Sequence, residues 1–157
     1  MAAGPRDGAP AEPAQRLVAR IIDTLLVALP VVLVTRATLP RVTAEIVASV
    51  GLAFLLVVYD SVQHARWGQT VGKRLTGIRV VSVPAEGTGG APGRPRPAQA
   101  LLRAAVYAVP IAARSVPVLG AIAGIFWVTN AGLLLERPRR QALHDRIAGT
   151  AVVSIRN

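Results

Sequence analysis

The sequence predicts an all-α membrane bundle of about four transmembrane helices with a small two-stranded β element on the cytoplasmic side. Three observations carry this expectation. Hydrophobic residues make up 52% of the chain but aromatics only 4%, so the apolar content is Ala, Val, Leu and Ile, as in membrane helices. These residues collect in four blocks. The basic residues behind the net charge of +10 flank those blocks and form no stripe along one amphipathic face, which argues against nucleic acid as a partner. The chain has no Cys, which excludes a disulfide framework and any Cys-based metal or nucleophile site.

The elements follow in order. Residues 1–15 are Pro-, Ala- and Gly-rich and polar, the composition of a disordered arm; the membrane domain then covers 16–157. The first block, Leu17–Thr35, is long enough to cross a bilayer. It is too long for a signal-peptide core, carries Asp23 and lacks a small-x-small site at its end, so it reads as a retained anchor. The second block is Ile46–Val62. The third, Ala98–Ala113, is short and holds Arg103 and Pro110, so it is either a short kinked span or an interfacial helix. The fourth is Val118–Leu135, with a Gly120/Gly124 step that permits close helix contact. Between the second and third blocks, Leu75–Val83 is rich in β-branched residues and reads as a strand, and Thr150–Ile155 is a second one. Lone strands leave backbone groups unpaired, so these two are expected to pair with each other. Pro84–Pro97 reads as a flexible Gly/Pro-rich loop, and no internal repeat is apparent.

Charge sets the expected orientation. With four crossings and both termini in the cytoplasm, 15 of the 18 basic residues lie inside, and only Arg36, Arg41 and Arg114 lie outside. Three crossings would export the basic segment that runs from Glu136 to Thr150.

Chemistry concentrates in the charged residues near the cytoplasmic side. A charge within a membrane helix costs roughly 2.5–3.5 kcal/mol on insertion scales, so it faces protein or water. Asp23 in the first block therefore needs a partner or a proton. It is either a proton or cation site or one half of an ion pair that fixes helix packing. Arg20 lies one turn before it, and Arg16 one turn before that. Asp60 ends the second block and Arg103 begins the third, at the same expected depth. A cluster of Asp23, Asp60, Arg20 and Arg103 follows, with Asp23 paired to Arg20 or Arg103. Asn130 is a further polar group, of the kind that joins helices. The segment Gly68–Arg74, GQTVGKR, has three residues between its glycines and Arg after Lys73, so it is a tight turn and not a phosphate loop. In Leu143–Thr150, LHDRIAGT, a His–Asp pair has no Ser or Cys nucleophile beside it. No catalytic, metal or cofactor motif emerges, so an enzyme is not expected. The turn and the LHD segment are expected to pack beside the strands, with Lys73 or Arg74 approaching Asp145.

Taken together, QRLVARIIDTLL, GQTVGKRLTGIRVV, ALLRAAVY and QALHDRIAGTAVV resemble, in order, the motifs of the RDD family of bacterial membrane proteins. The resemblance runs from Arg16 to Val153. It implies that Arg16, or alternatively Arg20, is the family arginine and Asp23 the first aspartate. Asp145 matches the second aspartate, with Asp60 as a competitor. Gly68, Thr70, Gly72 and Lys73 fall in the family's G-x-T-x-G-K segment, and His144, Gly149 and Thr150 in its closing element. The resemblance implies a multi-pass protein of the bacterial plasma membrane, with the lipid bilayer as its surroundings, a homo-oligomer or other membrane proteins as partners, and no cofactor. Two functions stay open: ion, proton or small-solute transport using the intramembrane Asp and Arg residues, or a non-transporting structural or accessory subunit of a membrane complex.

Overall fold

The computed structural model describes residues 8–83, 92–113, 116–136 and 140–155. The chain runs α1 (Pro13–Thr38), α2 (Arg41–Trp67), α3 (Val71–Leu75), β1 (Ile78–Ser82), α4 (Pro97–Ala113), α5 (Pro117–Gly132), α6 (Leu143–Ile147) and β2 (Thr150–Ser154). It is mostly helical, with one two-stranded antiparallel sheet. α1 starts earlier than its apolar block because Pro13 sits in the first turn and Glu12 and Gln15 form a capping box. α2 ends at Gly68, whose φ of +69° lets its N–H close on the His64 carbonyl at 2.9 Å.

α1 and α2 are long and apolar enough to cross a membrane. α4 and α5, of 17 and 16 residues, reach only about 25 Å at 1.5 Å per residue, short of a ~30 Å hydrocarbon core. By length, then, two of the four expected spans are met. The fourth block stops short of Leu135 because Leu133–Leu135 leave the helix in a turn. Gly124 has nothing within 4 Å of where a Cβ would stand, so it mediates no close contact among the described residues.

The bundle is packed with large residues outward. Leu25, Phe54 and Val128 are 58%, 66% and 75% exposed, whereas the interior holds Ala19, Ala44, Ala53, Ala104 and Ala108 together with buried charges. Small residues inside let backbones approach, and such extended apolar surface suits lipid better than water. In mid-bundle, Ala53, Leu56 and Ala108 form a tight apolar layer with Val27 and Ile111 against it. The buried hydroxyls of Thr35 and Ser49 donate to their own helix carbonyls, at Val31 (2.9 Å) and Glu45 (2.8 Å), so their hydrogens are already engaged and only their acceptor sites remain.

The strands pair as expected, with Val80 opposite Val152, Ile78 opposite Ser154 and Ser82 opposite Thr150. β1 is shorter than Leu75–Val83 because Leu75 closes α3. The presumed arm is more ordered than its composition suggests. Residues 1–7 lie outside the described residues, but the Gly8 and Ala11 N–H groups donate to Ser154 O and Val152 O at 3.0 Å, and Ser154 N donates to Ala9 O at 2.8 Å. The arm thereby covers the free edge of β2. Of the loop 84–97, residues 84–91 lie outside the described residues. The remainder is anchored by Ser82 N donating to Gly93 O at 2.8 Å, and Pro97 opens α4.

The expectation of no internal repeat is overturned. Residues 69–82 and 141–154 each run through a Gln, a five-residue helix, a positive-φ glycine and a five-residue strand. Gln69 Nε2 donates to Ile78 O at 3.0 Å and Gln141 Nε2 to Thr150 O at 2.8 Å, nine residues on in both cases. Gly77 and Gly149 take φ of +66° and +62°. The two units share Gln, Arg, Gly, Val, Val and Ser at equivalent places. Because Val80 faces its own equivalent, Val152, the strand pairing lies on a local two-fold axis. Each unit follows a helix pair, α1–α2 or α4–α5, and α3 packs on α1 as α6 packs on α4. The duplication escaped the sequence reading because the shared letters are few and the long helices around them differ.

Candidate functional site

At the sheet-bearing end of the bundle three buried carboxylates sit among four cations. Asp23, on α1, accepts from Tyr59 Oη (2.7 Å), Thr70 Oγ1 (2.5 Å) and the Gly72 backbone N–H (2.8 Å), and Lys73 Nζ stands 3.8 Å away. Thr70 also caps α3, accepting from Lys73 N. This corrects the expected pairing of Asp23 with Arg20 or Arg103. The whole G-x-T-x-G-K turn is folded onto α1, so its neutral donors and its lysine reach Asp23 first. Gly72 is required by this approach: a Cβ there would stand 2.2 Å from the Ala19 carbonyl oxygen.

Asp60, on α2, accepts from Arg20 Nη1 at 2.6 Å. The Arg20 guanidinium lies over the Tyr107 ring, 3.3 Å from its centroid. Asp145, on α6, is held by Arg103 Nε at 2.7 Å and by Arg16 Nη1 at 3.1 Å. Arg16 Nη2 also donates to Val152 O at 3.0 Å, which ties α1 to β2. The expected approach of Lys73 or Arg74 to Asp145 is therefore corrected: Arg103 and Arg16 occupy Asp145, Lys73 serves Asp23, and Arg74 stacks toward Trp67. Asp60 and Asp145 both sit in the cluster, each with its own arginine.

His144 fixes its own tautomer. Arg103 Nη2 lies 3.2 Å from Nε2 and has only protons to offer, so Nε2 carries the lone pair. Nδ1 then carries the hydrogen that meets Asn130 Oδ1 at 2.8 Å. Burial, with Arg103 adding to it, lowers the His144 pKa to about 3, so the ring is neutral. Burial would raise Asp145, but Arg103 and Arg16 more than offset it and hold the carboxyl well below the usual range. Burial lowers Lys73 to about 8, against the pull of Asp60 and Asp23. Gly149 forms the turn after α6, and buried Thr150 opens β2, its Oγ1 donating to Asp145 O at 3.4 Å.

A cavity of about 210 Å³ opens inside this cluster. Its charged lining is Arg16, Arg20, Lys73 and Arg103 against Asp60 and Asp145, and its apolar lining includes Leu17, Trp127 and Leu134. Several buried polar atoms of the cluster lack a partner among the described residues: Arg16 Nε, Arg20 Nε, Arg20 Nη2, Asp60 Oδ1 and both ring nitrogens of His64. The sequence reading missed Tyr59, Tyr107 and His64. Tyr59 adjoins Asp60 and His64 lies one turn after it, on the helix face that Asp60 already marked. Tyr107 likewise lies one turn after Arg103.

Among the described residues no group of His, Asp and Glu is arranged to hold a metal ion. The family model described as the RDD family matches residues 10–149. No curated protein and no solved structure matches the chain.

Proposed function

The chain belongs to the RDD family, and we propose that it is a carrier of an ion or small solute, multi-pass in the bacterial plasma membrane, with both termini cytoplasmic. In this reading α4 and α5 complete the crossing as short spans, the sheet end faces the cytoplasm, and the protein acts on its solute without chemical conversion. One observation carries the proposal: the charged cavity lies between the two repeated halves. α1, α2 and α3 supply Arg20, Asp60 and Lys73, and α4, α5 and α6 supply Arg103, Trp127 and Asp145. Membrane carriers built from repeats commonly bind their cargo where the repeats meet. A second cavity, of about 500 Å³, lies beyond the apolar Ala53–Leu56–Ala108 layer and is lined by Thr35, Arg36, Glu45 and Ser49. A polar chamber on each side of an apolar closure is what alternating access requires.

The pairing of every buried carboxylate favours a second reading, a non-transporting accessory subunit whose charges lock the bundle, alone or in a homo-oligomer. Reconstitution in liposomes separates the two. Proton flux is read with a trapped pH-sensitive dye under imposed Na⁺, K⁺ or phosphate gradients. A carrier gives flux above empty vesicles that falls at least tenfold in Asp23→Asn while folded yield persists. Wild-type vesicles no leakier than empty ones under all three gradients would leave the accessory reading standing.

A further inference from the structure

Four cations and two carboxylates line the 210 Å³ cavity, and each of those carboxylates already has a guanidinium against it. With Lys73 protonated the lining carries a net charge of +2, and Asp23 behind Lys73 brings the whole cluster to +1. The field inside therefore favours an anion over a cation. Among the residues that line the cavity, the unpartnered atoms are three guanidinium N–H donors, Arg16 Nε, Arg20 Nε and Arg20 Nη2, and one acceptor, Asp60 Oδ1, all four of them sealed from water. Asp60 is only 2% exposed, and a buried acceptor of this kind is costly until a hydrogen reaches it. The volume is many times the roughly 10–15 Å³ that a single water needs.

We propose that this cavity binds a hydrogenphosphate-class oxyanion, either the free dianion or the phosphate monoester of a lipid headgroup. The free dianion carries two negative charges and several acceptor oxygens for the guanidinium groups of the lining, and these charge-assisted bonds are the strong ones. It also keeps one P–OH for Asp60 Oδ1, whereas a lipid monoester keeps a P–OH only as its monoanion, with one negative charge. A carboxylate has no such hydrogen and chloride has neither feature. The planar fork of Arg20, held flat on Tyr107, is the type of donor that matches phosphate oxygens. The apolar Leu17, Trp127 and Leu134 at the same cavity are compatible with entry from the lipid side.

The proposal deepens the carrier reading by naming the class of cargo or bound group, and it is tested by binding so that the two can fail separately. The chain has two tryptophans, so Trp67→Phe leaves Trp127, in the cavity wall, as the sole reporter. Purified protein in a nonionic detergent is titrated with inorganic phosphate and with chloride at constant ionic strength. A saturable fluorescence change with phosphate and none with chloride is expected. Arg20→Lys keeps a cation for Asp60 but removes the fork, and should weaken phosphate binding at least tenfold with the thermal midpoint little changed. Equal responses to phosphate and chloride, or phosphate binding in Arg20→Lys as tight as in wild type, overturns the proposal. A second arm uses nanodiscs of phosphatidylcholine with or without phosphatidic acid. Displacement of inorganic phosphate by phosphatidic acid supports the site and assigns it to a headgroup; undiminished phosphate binding supports it and assigns it to the free anion. Phosphate binding without flux in liposomes keeps the site and removes the carrier reading, whereas flux without a phosphate response does the reverse.

Discussion

The two halves of the molecule place charges of opposite sign at one equivalent position, Lys73 and Asp145, and each is met by an opposite charge on the helix beneath it. In the first half the helix carries the carboxylate and the short cap helix the cation, Asp23 with Lys73. In the second half the helix carries the cation and the cap helix the carboxylate, Arg103 with Asp145. Lys73 and Asp145 occupy the same place in the repeated unit, as do Gly72 and His144. Each of these pairs closes within its own half, Arg16 on Asp145 joins the two, and the halves differ in how they fail. A lysine can shed its charge when its partner is lost; an arginine cannot.

That difference sets the largest expected effect. Asp145→Asn strands both Arg16 and Arg103, and breaking a buried pair costs about 3–5 kcal/mol. Asp23→Asn strands one cation, Lys73, already lowered to about 8 and able to neutralise, and weakens the bonds from Tyr59, Thr70 and Gly72, so the loss should be smaller, about 1.5–3 kcal/mol, the range for hydrogen bonds to a charged group. Thermal unfolding in detergent ranks the two. Equal losses would mean that the halves respond alike and that the lysine offers no relief.

Next is the pair Gly72 and His144. Gly72→Ala forces a methyl against the Ala19 carbonyl and lifts α3 away from Asp23, an overpacking cost of about 1–3 kcal/mol or more. His144→Ala opens space and removes the bonds to Asn130 and from Arg103 Nη2, so it should cost about 2 kcal/mol at about 1 kcal/mol per bond and leave the Arg103–Asp145 pair in place. Folded yields and melting midpoints of the two variants test this. A well-folded Gly72→Ala protein would contradict the close packing of α3 on α1.

The smallest effect, counted per pH unit, is in pH, where the halves should show themselves at opposite ends of the scale. Lys73 faces Asp23 and Arg20 from α1, Asp60 and His64 from α2, and Arg103 from α4. Its folded pKa, about 8, lies below the ordinary lysine value of 10.5. The unfolded chain therefore binds more protons between those values, and stability rises as pH climbs from about 8 to about 10.5. His144 falls from 6.5 to about 3, so its contribution is complete above about 6.5 and is lost as pH falls toward 3. Each slope is at most about 1.4 kcal/mol per pH unit. Lys73→Met should abolish the alkaline slope alone and His144→Asn should reduce the acid one. An alkaline slope that survives Lys73→Met belongs to another group.

Much of this was legible in the sequence. Leu17–Thr35 and Ile46–Val62 announce themselves because lipid-facing helices must be apolar over their whole length, and β-branched Ile78–Ser82 and Thr150–Ser154 because strands prefer such residues. The gathering of Arg20, Asp23, Asp60 and Arg103 at one end of the bundle was also legible, since buried charges must find one another. Which charge meets which was not. Asp23 has Arg20 one turn away on its own helix, but the hydrogen-bonding turn at Thr70–Lys73 reaches it from 47 or more residues on, and sequence spacing carries no record of that docking. The repeat was hidden for a related reason: it is a likeness of backbone path, held by Gln69, Gly77 and their counterparts, and not of hydrophobic pattern.

The bond from Arg16 to Val152 spans 136 residues, and its contact with Asp145 spans 129. A growing chain emerges from the ribosome with α1 long before β2 exists. During that interval Arg16 lacks Asp145 and Val152, and Arg103, once made, lacks Asp145. The charged cluster can close only after α6 and β2 have been synthesised, so insertion of the first two helices and completion of the site are separate events in time. A late closure of this kind gives the cell a natural checkpoint. A chain interrupted before Asp145 would leave uncompensated guanidinium groups inside its bundle, a mark that quality-control proteases can read.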